Sequence, residues 1–370
     1  MRGLPDIFRA YGPEYLEQYD NQIVPSHRKA IQDIIQCRTE QLGGQVWFCE
    51  NCSQYHYSYH SCKNRHCPTC QNDQTDEWIE EQKKLLLPTT YFMATFTLPE
   101  ALRQLAYSNQ SIIYTILFRA SAEALQELAQ DQRFLGGQIG MIGILQTWTR
   151  DLFYHPHIHY LIPGGALSPN GKKGKKWLRS QNEFLMHVKP LSTLFKGKFK
   201  AALKKAGLFG HVPSTVWKQK WGVHIQPVGN GPSAIKYLAP YIFRVAISNR
   251  NILNMEKGIV TYRFKDAKTN QYRTRTLPAL QFIQLFLKHV LPRGFVKVRY
   301  FGFFATKKRN ALQHVKELIG QLFEQKTGKP KAPRSFTCPH CGKHMMLIGE
   351  FSKRRASPTF DTISLNISSL

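Results

Sequence analysis

Residues 152–165 read LFYHPHIHYLIPGG, and the fold turns on this stretch. Histidines stand at 155, 157 and 159, followed by an apolar run and two glycines. In a strand successive side chains point to opposite faces. His155, His157 and His159 then share one face, with Ile158 and Tyr160 on the other. His157 and His159 present two imidazoles side by side, a ready site for a divalent ion with open positions. Neutral imidazole suits Mn, Zn, Co or Ni, and Mg can be held with help from oxygen ligands. The preceding apolar run, GQIGMIGILQTWT (137–149), also reads as a strand and carries Gln146. If the two strands pair antiparallel, Gln146 sits beside the histidines and supplies an oxygen; His155 is its rival as third ligand. A lone His-x-His is a weak motif, and its weight depends on what accompanies it.

The bulk composition narrows the partners. Among 370 residues, 42% are hydrophobic, which supports two or three folded domains and excludes a disordered chain. The formal net charge is +27, from 51 Lys and Arg against 24 Asp and Glu. Such an excess points to a polyanion, nucleic acid ahead of a membrane surface. No stretch approaches the ~18 apolar residues of a spanning helix, and no basic amphipathic helix stands out. The N-terminal MRGLPDIFRAYGPEYLEQYD has no apolar h-region. The expectation is a cytoplasmic, reducing environment, in which the eight cysteines are metal ligands before they are disulfides.

Six of those cysteines lie between Cys37 and Cys70, and the other two are Cys338 and Cys341. Cys49/Cys52 and Cys67/Cys70 form a CxxC–x14–CxxC pattern, which predicts one structural zinc held by these four thiolates. Cys37, Cys62 and His66 offer a second zinc, with His56 and His60 nearby; alternatively Cys37 and Cys62 are buried thiols. Cys338 and Cys341 form one further knuckle, with His340 and His344 close in sequence.

Along the chain, SHRKAIQDIIQC (26–37) and DEWIEEQKKLLLP (76–88) read as helices, and YFMATFTLP (91–99) as a buried strand. A long helix is expected over 108–131, then the strands at 137–149 and 156–165. HIQPV gives a short strand, and 232–247 a helix. GIVTYRFKDAKTNQYRTRTLPA reads as a hairpin, LPALQFIQLFLKHVLP as a helix and GFVKVRYFGFFA as a last strand. Paired strands between helices argue for an α+β fold with an antiparallel sheet. From Lys172 to Lys205 there are eleven Lys or Arg and one acid, Glu183. Lys172, Lys173, Lys175, Lys176 and Arg179 in SPNGKKGKKWLRS read as a loop that contacts a DNA backbone.

The helix at 232–247 contains KYLAPYIFR, with Tyr237 and Tyr241 four residues apart and so on one face. Taken with SYHSCKNRHCPTCQ, FTLP, LQTWTRDLFYHPHIHYLIPGGAL, YRFKD and FLKHVLPRGFVKVRYFGFFA, the sequence resembles the two-tyrosine HUH transposases of rolling-circle bacterial insertion sequences. The resemblance spans most of the chain. It implies an antiparallel-sheet HUH endonuclease core, a ferredoxin- or RRM-like palm, at 88–310. Before it comes a small zinc-binding DNA-recognition domain at 1–87, with one or two Zn2+. A C-terminal tail with the CxxC knuckle follows at 311–370.

It implies further that His157 and His159 hold Mg2+ or Mn2+, with Gln146 where the family often has histidine, and that Tyr237 and Tyr241 are nucleophiles. Pro240 between them threatens a kink that makes the two hydroxyls inequivalent, and Tyr237 is the choice if only one attacks. The implied partners are single-stranded DNA, hairpin ends of a mobile element and target DNA, in a nucleoid-associated cytoplasmic protein. A rolling-circle replication initiator of a plasmid or phage would share this core, and a non-enzymatic zinc-ribbon DNA-binding protein would share only the cysteines. Oligomeric state is not legible.

Overall fold

A computed structural model describes residues 3–169, 174–181, 183–243, 245–267, 269–320 and 336–352. The first elements are two helices, α1 (Leu4–Gln18) and α2 (Pro25–Gln36). Each begins with proline in its first turn, where a missing amide leaves no bond unmade. A hairpin, β1 (Gly44–Cys49) and β2 (Gln54–Tyr59), is followed by α3 (Pro68–Lys83). Then come β3 (Thr90–Thr97), α4 (Arg103–Ser108), α5 (Gln110–Gln130), β4 (Met141–Trp148) and β5 (Tyr154–Pro163). A small hairpin, β6 (Gly165–Leu167) and β7 (Trp177–Arg179), precedes α6 (Val188–Lys205), α7 (Thr215–Lys218), β8 (Gly222–Asn230) and α8 (Gly231–Phe243). A meander follows, of β9 (Ile252–Glu256), β10 (Ile259–Lys265) and β11 (Tyr272–Pro278), and runs into α9 (Ala279–Leu287). The last elements are β12 (Val298–Phe301), α10 (Arg309–Leu318), β13 (Phe336–Thr337) and β14 (His344–Phe351).

The central sheet has five strands in the order β12-β4-β5-β3-β8, every neighbour antiparallel. The mixed helical and antiparallel architecture is the one expected. Its two faces follow the period-2 rule. Phe92, Ala94, Phe96, Ile158, Tyr160 and Ile162 face α5 and α6, where they pack with Phe118, Leu125, Phe195 and Phe199. Each such side chain contributes roughly 1.5–3 kcal/mol on burial. Met93, Ile142, Ile144 and Leu161 face the other way, against Ala234, Ile235, Leu238 and Ile242 of α8 and Leu312 and Val315 of α10. The histidine strand β5 is central, so its register is fixed on both sides and on both faces.

Several elements differ from the sequence reading. The helix expected at 76–88 starts at Pro68, directly on the Cys67–Cys70 knuckle. The helix expected over 108–131 is α5, and a short helix not expected from the sequence, α4, ends just before it at Ser108. The basic segment contains a full helix, α6, whose Leu191, Phe195, Phe199 and Leu203 are buried. Spacing of about four puts those residues on one stripe; Lys189, Lys204 and Lys205 are exposed, while Lys196, Lys198 and Lys200 are half-buried.

Packing also crosses the boundaries expected at 87/88 and 310/311. Leu4, Ile7 and Phe8 of α1 share a core with Phe282, Ile283 and Phe286 of α9, Phe8 and Phe286 meeting edge to face at 5.4 Å. Strand β14 pairs antiparallel with β1, from Gly44 opposite Phe351 to Phe48 opposite Met346, in a second sheet of order β13-β14-β1-β2. The segment expected as a separate tail thus completes the N-terminal sheet. Hydrogen-bonding edges, not proximity in sequence, decide this arrangement.

Candidate nuclease site and cysteine clusters

The face of the sheet beneath α8 carries a polar patch in an otherwise apolar surface. His157 lies opposite Gln146 on β4 and Thr97 on β3, and His159 lies opposite Ile144 and Thr95. Directly opposed residues of an antiparallel pair share a face. The two imidazole rings are 4.8 Å apart. His157 Nδ1 lies 2.7 Å from the His155 carbonyl oxygen. A carbonyl only accepts, so Nδ1–H donates and the Nε2 lone pair of the neutral ring is left for a ligand. His159 Nδ1 is held by Thr95 Oγ1 at 3.0 Å, while its Nε2 is buried without a hydrogen-bond partner.

A partnerless buried nitrogen is costly in an apo surface and is what a metal ligand needs. Burial holds the His157 imidazole down to about 4 and, with the neighbouring His157, the His159 imidazole to about 2. Both rings are therefore neutral at pH 7 and able to ligate.

Gln146 is buried, and its Nε2 donates to the Tyr241 carbonyl at 3.3 Å. With the amide nitrogen committed to α8, Oε1 is the atom left for an ion. His155 is drawn elsewhere, its Nδ1 2.9 Å from Arg103 Nη2. Gln146 Oε1, and not His155, is thus the further side-chain atom that could join the two imidazoles on an ion.

Helix α8 runs from Gly231 to Phe243, through position 240. Its two tyrosines meet the patch differently. The Tyr241 ring is 4.3 Å from that of His159 and 5.8 Å from that of Tyr237. Tyr237 is 38% exposed, and its hydroxyl accepts a hydrogen bond from Gln226 Nε2 at 2.9 Å. The last turn of α8 is also tied down by Lys297, whose Nζ donates to the Ile242 carbonyl at 2.8 Å. Burial lowers the Lys297 ammonium to about 7.

Thr95, Gln226, Lys297 and His224 were not singled out from the sequence. His224 is exposed and lies opposite Thr95 in register. A signal was present for three of them: TFT (95–97) and HIQ (224–226) place polar residues two apart in apolar strands, as HIH does.

Of the basic loop, Lys175, Lys176 and Arg179 are exposed around β7, which pairs with β6. Lys172 and Lys173 lie outside the described residues. Gly165 follows His159 by six positions. At about 3.3 Å per residue the loop is rooted roughly 20 Å from the histidines.

The cysteines form two groups of four, and not the expected one. Cys37, Cys62, Cys67 and Cys70 come together, as do Cys49, Cys52, Cys338 and Cys341; within each group the sulfurs lie within 4.8 Å of one another. Spacing identified the knuckles correctly but not which knuckles share a centre. Cys67 and Cys70 open α3 beside Cys37 at the end of α2, whereas Cys49 and Cys52 sit at the tip of the β1–β2 hairpin, beside the turn between β13 and β14. His66 belongs to neither group: its buried Nε2 accepts the Leu291 N–H at 3.2 Å, and burial keeps the ring neutral. His56 stacks on Phe336 at 4.7 Å.

One family model, described as "Putative transposase", matches residues 140–311, and another, "Transposase zinc-binding domain", matches residues 7–98. The chain is 34% identical over 379 residues to "Putative transposase y4qJ" of Sinorhizobium fredii (strain NBRC 101917 / NGR234), covering 93% of this chain and 94% of that protein. It is 27% identical over 293 residues to "Transposase for insertion sequence element IS801" of Pseudomonas savastanoi pv. phaseolicola, covering 75% of this chain and 70% of that one. No solved structure matches. The chain belongs to the IS91-type family of rolling-circle insertion-sequence transposases that carry an N-terminal zinc-binding domain. Among the described residues no helix is long and apolar enough to cross a membrane.

Proposed function

We propose that this transposase nicks and rejoins single-stranded DNA at the ends of its element through tyrosine, with Mg2+ or Mn2+ held by His157, His159 and Gln146. The core would then be an HUH palm. One observation carries the reading: a buried, partnerless His159 Nε2 stands beside the neutral His157 ring, under the helix that presents Tyr237 and Tyr241. When bound, the ion supplies Lewis-acid neutralisation of the scissile phosphate.

The chain's own residues supply the rest. A phenol hydroxyl attacks phosphorus; its oxygen forms a P–O bond, the P–O3′ bond breaks, and the 3′ oxygen leaves as a hydroxyl with the transferred proton. The 5′-phosphotyrosine ester conserves the bond, so a later 3′-OH can reverse the exchange without ATP. Free tyrosine titrates near pH 10. The Gln226 amide donating to the Tyr237 oxygen stabilises developing phenolate. We assign first attack to Tyr237, the exposed one with that donor, and the second exchange to Tyr241. Relatives named as transposases favour transposition over replication initiation.

The test incubates the full chain with labelled single-stranded DNA from the element's ends and Mg2+ or Mn2+. A covalent adduct that survives denaturation is expected, and it should vanish with EDTA and in the Tyr237→Phe/Tyr241→Phe double variant. An adduct of undiminished yield in that variant would remove the tyrosines from the reaction.

A further inference from the structure

We propose that Cys49, Cys52, Cys338 and Cys341 form a second, closed zinc site whose ion fastens the C-terminal strand pair to the N-terminal sheet. The zinc-binding family match ends at residue 98, so half of this ligand set lies far outside it. Three observations converge.

First, the distances suit a tetrahedron. Cys49 and Cys341 sulfurs are 3.5 Å apart, as are those of Cys52 and Cys338. Zn–S bonds of about 2.3 Å in a tetrahedron put sulfurs about 3.8 Å apart. A disulfide would need about 2.05 Å, and all eight cysteines are free. The companion group has the same spread, 3.4–3.6 Å among Cys37, Cys62, Cys67 and Cys70.

Second, both halves are built as knuckles. Gly342 N–H donates to the Cys338 carbonyl and Cys338 N–H to the Lys343 carbonyl, each at 2.8 Å. The turn passes through Gly342 at φ +70°, a conformation glycine adopts without strain. The tight turn brings the two thiols of Cys338 and Cys341 to one side, as the Cys49–Cys52 turn does.

Third, beyond the strand pairing, the apolar packing at this corner is small among the described residues. Among the described residues, the cluster around the four thiols adds just Met345 as a buried apolar side chain, with Trp47 and Phe336 packed against it. A metal is one of the devices that stabilise so small an apolar cluster. The stack of Trp47 on Phe336 at 5.4 Å and of His56 on Phe336 joins β13 to β1 and β2 beside the thiols. The ligand set is all thiolate and closed, which marks a structural and not a catalytic ion.

The test uses the native full-length chain. Zinc should be present at two per chain. During slow chelation, alkylation mapped by mass spectrometry should show Cys49, Cys52, Cys338 and Cys341 becoming reactive together, with one zinc released alongside them. Cys37, Cys62, Cys67 and Cys70 should open as a separate group. Cys338→Ser/Cys341→Ser should hold one zinc, and Cys341→His, which keeps a ligand nitrogen, should hold two. The proposal is overturned if Cys338 and Cys341 alkylate at once in the native chain, if Cys49 and Cys52 open with Cys67 and Cys70, or if the double serine variant retains two zinc ions. The alkylation pattern of the unmodified chain decides even where a variant fails to fold.

Discussion

At the scale of single residues, the orientation of His159 depends on a neighbour on the next strand. Thr95 Oγ1 orients the imidazole through Nδ1, and such outer partners set a ligand's tautomer and basicity. Thr95→Val keeps shape and removes the hydroxyl. Adduct formation at limiting Mn2+ should fall roughly 10–100-fold and recover at high Mn2+, with Thr95→Ser near wild type. Loss that excess Mn2+ does not restore would refute the positioning role.

His289 is buried, held by Thr147 and the Leu152 carbonyl, and burial lowers it to about 4. The unfolded imidazole takes its proton near 6.5 while the folded one does not, so the unfolded state binds more protons between those values. Stability from this residue is intact above about pH 6.5 and is lost as pH falls toward 4, to a ceiling of about 3 kcal/mol. Denaturant unfolding at pH 7 and pH 5 should show the loss, and His289→Gln should shrink it. An unchanged difference in the variant would assign the acid limb to other groups.

At the scale of elements, the decisive piece is α8 and its moorings. Gln146 and Lys297 each donate to a carbonyl of its last turn. Removing a buried ammonium is often neutral or stabilising, whereas a displacement of about 1 Å at a nucleophile can cost up to about 100-fold. Lys297→Met should leave the Tm unchanged or higher and slow adduct formation roughly tenfold. Parallel loss of Tm and rate would make Lys297 merely structural. Gly302 is a second pivot: it adopts φ +60°, and a Cβ there would overlap the Ile139 carbonyl.

These elements also show what a sequence makes visible. The HIH alternation, the strand carrying Gln146 and the tyrosine helix were legible because period and residue type agree. Helix α6 was not, since its eleven-cation neighbourhood masked the stripe Leu191, Phe195, Phe199 and Leu203. The contribution of Thr95 was masked by the same rule that revealed His157, because threonine is ordinary in strands.

At the scale of the whole molecule, units read as consecutive are interleaved. The first helices share a core with α9, and β14 closes the first sheet. Which knuckles pair could not be read from spacing, because CxxC fixes two ligands locally and the other two by tertiary contact. The same holds for His66, a plausible ligand by sequence that instead accepts from Leu291.

The pairing of β1 with β14 has a consequence in time. A ribosome makes β1 about 300 residues before its partner, and at roughly 5–20 residues per second that is about 15–60 s. Throughout that interval the edge of β1 has no β14 to bind, and Cys49 and Cys52 have no Cys338 or Cys341. The N-terminal sheet, though first to emerge, is thus among the last parts to mature. Ribosome-bound chains arrested before residue 336 should have Cys49 and Cys52 open to alkylation while Cys37 and Cys67 are protected; chains carried well beyond residue 352 should protect all four. Equal protection in both would mean that the sheet matures without its late strand.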